Sequence, residues 1–284
     1  MTRNDAPSTD RARAADPVAT RRPVSRLRLW LVFVRQAFVR DTHYRLHFVT
    51  TVGVGFLQLG LALVPILLMY GYTDDIRGWS RTDVIALVGM YQIATGLMAT
   101  FVAPNLHRMT TYITRGELDG ILLRPVSAQF FLTFRWVDLA ELGTVGTGTV
   151  VLVVALSSTE VLLGGGAILS AGVLLACGLV LLTCVWSALS YSAFWLQSVD
   201  PVPLVFQAVM EAGKYPLPFF PPLARGFLTF VFPVAFATTF PVQALHGDIA
   251  WPVVVGGCAL AAGAVLVLRA YWRFGLRSYA SASS

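Results

Sequence analysis

A short polar segment between two long apolar stretches carries closely spaced charged side chains. Residues 107–125 read HRMTTYITRGELDGILLRP. Arg115, Glu117, Asp119 and Arg124 could form ion pairs with a partner protein, or with one another in an ordinary turn. Because the chain has little other polar mass between its apolar stretches, we expect a partner to contact this segment.

The chain contains no phosphate-binding loop of the common ATPase type. Such a loop has the sequence Gly-x-x-x-x-Gly-Lys-Ser/Thr, in which backbone amides and the lysine hold the phosphates. The only lysine is Lys214, which follows Gly213 but precedes Tyr215 and Pro216. The chain therefore does not hydrolyse ATP through such a loop.

The histidines and serines of the chain do not have the spacing of known hydrolase motifs. The four histidines, at 43, 47, 107 and 246, form no His-Glu-x-x-His motif, and Gly-x-Ser-x-Gly is absent. His43 and His47 lie four residues apart, but no third metal ligand accompanies them. We expect no catalytic residue, no cofactor and no metal, and hence a protein that is not an enzyme.

Ionisable residues near the third apolar stretch allow two interpretations. Glu141 follows Arg135 and Asp138 at steps of three, which would place all three on one side of a helix. Ionisable groups within a membrane are costly and usually face protein or a water-filled cavity. We favour a structural ion pair for Glu141, with a functional role as the alternative. If the chain transports a substrate, Gln58, Gln92 and Glu141 are the candidate path residues, and Tyr215 and Pro216 are the candidate gate.

The composition predicts an all-α integral membrane protein. Of 284 residues, 56% are hydrophobic and 13% are charged, against roughly a quarter charged in soluble domains. A crossing helix needs about 20 apolar residues. The pattern predicts six transmembrane helices, over 48–70, 84–104, 128–156, 167–189, 200–215 and 251–268.

The proline-rich stretch before the last span allows two interpretations. Proline breaks helices, and a broken helix at membrane depth must be buried in protein or line a cavity. We favour 200–215 as the fifth span followed by a re-entrant hairpin over 217–246. In the alternative, 197–225 is a cytoplasmic loop and 226–246 is the fifth span.

The charge distribution predicts the orientation. Residues 1–47 contain ten arginines and four aspartates, and the remaining charges balance. By the positive-inside rule, both termini of this multi-pass plasma-membrane protein are cytoplasmic. We expect a disordered basic tail over 1–24 that meets lipid headgroups rather than nucleic acid, followed by an interfacial amphipathic helix over 24–45.

The polar segment together with the later prolines resembles the ABC-2 family of ATP-binding-cassette transporter permeases. The similarity rests on 115–125, on Lys214-Tyr215-Pro216, on the Phe-Pro pairs at 232–233 and 240–241, and covers about 25–275. The resemblance implies a type V fold, with a permease domain over 25–277 and a cytoplasmic tail over 278–284. The basic leader is not part of the family pattern.

The resemblance also implies partners and a mode of action. Such permeases work as pairs, identical or related, and each subunit docks a separate cytoplasmic ABC ATPase. Residues 107–124 would be the coupling helix between spans two and three, with Arg115, Glu117, Leu118, Asp119 and Arg124 at the ATPase. The expected function is export of an amphiphilic or small-molecule substrate. The alternative is an ATP-independent secondary transporter or a membrane assembly scaffold.

Overall fold

The computed structural model describes residues 26–42, 45–124, 126–158, 164–196, 202–247 and 249–278. Apart from one short hairpin, the regular elements of these ranges are helices, so the predicted all-α fold is confirmed. The predicted tail over 1–24, the residue His43 and the last six residues lie outside the described ranges.

Five helices in the described part of the chain are long and apolar enough to span a membrane. The spans are Val49–Met69, Arg81–Phe101, Leu139–Ser157, Gly165–Phe194 and Trp251–Ser278. The helices that form them are α2 (Arg45–Met69), α3 (Arg81–Phe101), α7 (Leu142–Ser157), α8 (Gly165–Tyr191) and α13 (Trp251–Ser278). They follow α1 (Arg26–Thr42), which matches the predicted amphipathic helix.

Helix α3 forms the centre of the bundle. Two thirds (67%) of its span is buried, compared with 17% of the spans in α2 and α13. Glycines allow α3 and α7 to approach closely: a Cβ atom at Gly148 would lie 2.7 Å from both the Cβ of Gln92 and the carbonyl oxygen of Gly89. Small residues at helix contacts are the usual basis of close packing in membranes.

A β-hairpin marks one end of the bundle, here termed the hairpin end. Strands β1 (Asp75–Ile76) and β2 (Trp79–Ser80) pair antiparallel, and Arg77 and Gly78 between them both have positive φ. Ser80 and Asp83 then form a reciprocal capping box, so α3 begins at Arg81 rather than at the predicted Val84. The opposite end carries residues 115–124 and is termed the loop end.

The predicted third span over 128–156 is broken near the loop end, contrary to the sequence prediction. Helix α6 (Ala128–Phe134) ends before Trp136, and a short turn at Leu139–Glu141 precedes α7. The buried Asn105 side chain holds both the N–H and the carbonyl of Trp136 at 2.7 Å, which removes them from any helical ladder. Arg135, Asp138 and Glu141 therefore do not share one helix face.

Residues 202–218 run from the loop half of the bundle to the hairpin end. Phe206 in α9 (Val202–Glu211) stacks on Trp186 near the loop end of α8. Glu211 reaches Tyr91 in the middle of α3, and the carbonyl of Pro218 accepts a 2.6 Å hydrogen bond from Arg77. Ten residues of α9 extend only about 15 Å. The predicted span over 200–215 is thus a half-length helix, which two short 3₁₀ turns follow.

The segment of residues 222–245 begins at the hairpin end of the bundle and returns to it. It contains α10 (Pro222–Gly226), a π-helical stretch (Phe227–Val231), α11 (Val234–Ala237) and α12 (Thr239–Leu245). Its two apolar halves meet at an angle of 71°.

The contacts of this segment favour a re-entrant hairpin over a crossing. Pro218 lies beside Arg77, and His246 lies 3.2 Å from Asp83, so both ends are at the hairpin end. The bend at Phe232 lies deep in the bundle, where Phe232 contacts the ring of Phe206. The alternative with 197–225 as a loop beside residues 115–124 does not fit the position of Pro218.

Candidate functional site

The loop-end segment begins as a helix that continues past α3. Helix α4 (Ala103–Thr114) follows a single break at Val102 and has Pro104 in its first turn, where the missing N–H costs nothing. Leu106, Met109 and Ile113 recur at three and four residue steps and are buried. The apolar face of α4 therefore fixes this helix to the bundle.

A tight turn follows α4 and is anchored by one apolar side chain. Gly116 has a φ of 72°, which lets the chain reverse direction. Leu118 is completely buried, and its N–H donates to the carbonyl of Tyr112 at 3.1 Å. Leu118, expected at the ATPase contact, thus points into the protein and holds the turn in place. The short helix α5 (Asp119–Leu122) follows it.

The exposed side chains of this turn form a mixed charged and apolar surface, termed the loop surface. Its members are Arg115, Glu117, Leu122, Leu123 and Arg124. Glu117 and Arg115 form no ion pair within 4.0 Å in the part of the chain that the structure describes. Leu123 is 87% exposed, an apolar feature that sequence reasoning missed. Asp119 is half-buried beside this surface.

A cluster of arginine side chains and aromatic rings packs next to the loop surface. The guanidinium of Arg108 lies 3.9 Å from the ring centre of Trp136, and that of Arg135 lies 4.9 Å from it. Arg40 of α1 donates to the carbonyl of Val137 at 2.5 Å, and Arg124 lies over Phe131 at 4.9 Å. Cation–π contacts of this kind join α1 and α4 to Trp136, which follows α6, and join Arg124 to α6.

His107 connects α4 to α8. Its ring contacts the ring of Trp186 edge-on, with centroids 5.3 Å apart. Burial lowers the pKa of His107, since the charged ring would lose its hydration. The neutral form of the ring is therefore favoured, although part of the side chain is exposed.

A polar cavity of about 290 Å³ lies half-way along the bundle. Of the predicted path residues, it brings together Gln58 and Glu141. Its other polar and aromatic lining residues are Tyr91, Thr95, Thr144, Trp186, Phe206, Gln207 and Glu211. Gln207 and Glu211 escaped the sequence prediction, although they lie four apart on the otherwise apolar α9 and would share one face.

Three other predicted residues lie outside this cavity. Gln92 is buried and donates to the carbonyl of Gly55 at 3.4 Å, which joins α3 to α2. Tyr215 and Pro216 follow the cavity on the side of the hairpin end. They do not line the cavity, and their role as a gate stays a prediction.

The charged groups at the cavity have partners within the chain. Glu211 forms an ion pair with Lys214 and accepts a hydrogen bond from the hydroxyl of Tyr91 at 3.3 Å. Glu141 accepts a bond from the Thr144 hydroxyl at 3.3 Å. The Glu211 side chain is nevertheless 58% exposed, and Gln58 and Gln207 are exposed beside it. One wall of the cavity is thus open on the outside of the single chain.

Metal-binding clusters do not occur among the described residues, where no group of three or more histidine, cysteine or acidic side chains could hold an ion. The Sγ atoms of Cys177 on α8 and Cys258 on α13 lie 3.7 Å apart, and Cys184 is buried in α8.

Comparison with known proteins identifies the family. The family model described as "ABC-2 family transporter protein" matches residues 56–283, which is most of the chain. Neither the curated proteins nor the solved structures gave a match. The matched range contains both the loop surface and the polar cavity. The chain therefore belongs to the ABC-2 family of transporter proteins and is a transmembrane permease.

Proposed function

We propose that this permease exports an amphiphilic or small-molecule substrate with energy from ATP that a separate ABC ATPase subunit hydrolyses. The observation that carries the proposal is the polar cavity at mid-depth, whose aromatic wall is joined by direct ring contacts to the helix that leads into the loop surface. The cavity offers a polar place inside the membrane, and the loop surface offers a contact outside it.

The exposed wall of the cavity supports a pair of permease subunits. An isolated subunit would place the Glu211 carboxylate and the amides of Gln58 and Gln207 against hydrocarbon, where polar groups are costly. A second subunit, identical or related, would cover this wall and join two half-cavities around one axis. The substrate would then move along the seam between the subunits.

The loop surface would be the contact for the ATPase. Glu117 and Arg115 extend from a turn that Leu118 anchors, so a force on them is transmitted to α4 rather than lost in a flexible loop. Asp119 and Arg124 flank them. Exposed Leu122 and Leu123 add apolar area, which suits the centre of a protein interface.

The charge distribution supports an orientation of the chain in the membrane. The loop end carries Arg40, Arg108, Arg124 and Arg135, which supports a cytoplasmic position for this end and for both termini in a plasma membrane. The hairpin over 217–246 would then dip in from the exterior. The permease domain would cover 25–277, with tails over 1–24 and 278–284.

A second candidate is an ATP-independent secondary transporter. It is favoured by the presence of two carboxylates, Glu141 and Glu211, at the same cavity, since such transporters use acids at mid-depth to couple ion and substrate movement. If no ATPase subunit accompanies the permease, a secondary transporter or a membrane assembly scaffold would be favoured.

Energy dependence separates these candidates. Inside-out vesicles from the native membrane would be assayed for substrate uptake with ATP, with ADP, and with a protonophore. We expect uptake that requires ATP and persists with the protonophore, and an ATPase subunit that copurifies with the permease. Uptake that a protonophore abolishes while ATP has no direct effect would show a secondary transporter.

A further inference from the structure

A second and larger cavity lies away from the polar one. It is a groove of about 630 Å³ bounded by α1, α3, α6, α8 and α13, a volume within the range of small-molecule sites. Trp30 of α1 and Phe101 of α3 form part of its wall, with their rings 6.2 Å apart. The groove and the polar cavity lie on different sides of α3, and Met98 is the one described residue that lines both.

The wall of the groove is polar at one end and apolar at the other. Toward the middle of the bundle it is formed by side chains such as Leu179 and Val265. Toward the loop end it contains Ser127, Gln129 and Arg269. Leu179 and Ser187 on α8 are eight residues apart, or about 12 Å along the helix. The groove therefore has the polarity and length of an amphiphile.

One charged group of the groove has no partner in the described part of the chain. Arg269 is exposed at its mouth and makes no ion pair or hydrogen bond there. Ser187 is completely buried and lines the groove, and its hydroxyl lies beside that of Tyr191 on the same helix. Among the described residues of the lining, Arg269 is the one with a charged side chain, which makes the mouth cationic.

We propose that this groove binds an anionic phospholipid of the surrounding bilayer. The phosphate would pair with Arg269 near the loop end, and an acyl chain would lie along Leu179 and Val265. Guanidinium groups bind phosphate through charged hydrogen bonds, and a lipid is the amphiphile that the membrane supplies to such a groove. The bound lipid would fill the space between the interfacial helix α1 and the spans α8 and α13.

Lipid retention tests the proposal without any transport assay. The purified permease, with its native partners, would be mixed with phosphatidylglycerol or phosphatidylcholine and examined by native mass spectrometry. We expect retained phosphatidylglycerol and little phosphatidylcholine. Arg269→Gln should lower phosphatidylglycerol retention about tenfold, because a hydrogen bond to a charged group is lost. Arg273→Gln removes an equal charge one turn further along α13, outside the groove, and should change retention less than twofold.

A variant that fills the groove provides a second test. Val180→Trp places a large ring at a half-exposed lining position and should lower phosphatidylglycerol retention as strongly as Arg269→Gln. Equal effects of Arg269→Gln and Arg273→Gln, or equal retention of both lipids, would overturn the proposal. Dissociation of the subunits by Val180→Trp with lipid retention unchanged would also overturn it, and would make the groove a contact between subunits.

Discussion

The indole of Trp186 stacks on the ring of Phe206, with centroids 4.1 Å apart and planes 27° apart. The same indole contacts His107 of α4, and both Trp186 and Phe206 line the polar cavity. A displacement of α4 therefore reaches the cavity wall through two ring contacts. This gives the proposed coupling a physical route between the loop surface and the cavity.

Replacement of Trp186 should weaken coupling without loss of the ATPase contact. Trp186→Leu keeps an apolar side chain but removes both ring contacts, which are worth about 0.5–1.5 kcal/mol each beyond burial. Loss of both contacts, about 1–3 kcal/mol together, should lower ATP-driven transport roughly five- to 150-fold, while the amount of copurified ATPase is unchanged. Trp195→Leu is the matched control, because Trp195 is 41% exposed and lies away from the cavity. Equal losses in the two variants would contradict the proposed route.

The contact between α3 and α7 should be sensitive to a single methyl group. A Cβ at Gly148 would lie 2.7 Å from Gln92, whereas a Cβ at Gly146 would meet nothing within 4 Å. Gly148→Ala should lower the free energy of unfolding by about 1–3 kcal/mol, as overpacked cores do. Gly146→Ala should leave it unchanged or raise it slightly. Thermal unfolding in detergent compares the two, and equal midpoints would mean that the helices are further apart.

Stability should decline in mild acid because of His107. Burial lowers its pKa below the ordinary value of 6.5, so the unfolded chain binds the proton more readily than the folded chain. The stability that neutral His107 provides is present above pH 6.5 and is lost as the pH falls below it. The midpoint of thermal unfolding should therefore drop between pH 7 and pH 5. The drop should be smaller in His107→Gln, and identical pH profiles would exclude this histidine as the cause.

The sequence predicts the uninterrupted helices well because their signal is local. Long runs of apolar residues predict the spans in α2, α3, α8 and α13. The prolines before α13 predict that the helices of that segment are broken. The sequence does not predict the break before α7. This break depends on the hydrogen bonds between Asn105 and Trp136, which lie 31 residues apart in sequence.

The site is predicted less completely than the fold for the same reason. Gln58 and Glu141 stand out as polar residues in apolar runs, and the structure places both at the cavity. Glu211 joins them only because α9 ends at mid-depth beside Tyr91. The burial of Leu118 depends on the turn at Gly116, so the charged residues around it could be expected at a surface while Leu118 could not be assigned.

Accessibility of residue 218 tests the re-entrant hairpin. In a chain without Cys177, Cys184 and Cys258, Pro218→Cys should react with an impermeant thiol reagent from the same side as Tyr72→Cys. Both positions lie at the hairpin end, where Tyr72 is 94% exposed. Leu123→Cys marks the opposite side of the membrane. Reaction of Pro218→Cys from the side of Leu123→Cys would contradict the hairpin.

The most direct measurement is the amount of ABC ATPase that copurifies with a charge-reversed loop surface. Glu117→Arg should reduce the copurified ATPase by at least about tenfold, because juxtaposed like charges at an interface are strongly unfavourable. Asp74→Arg introduces the same change at an exposed position of the hairpin end and should leave the complex intact. Unchanged ATPase recovery with Glu117→Arg, or equal loss with Asp74→Arg, would contradict the loop surface as the place where ATP hydrolysis is coupled to transport.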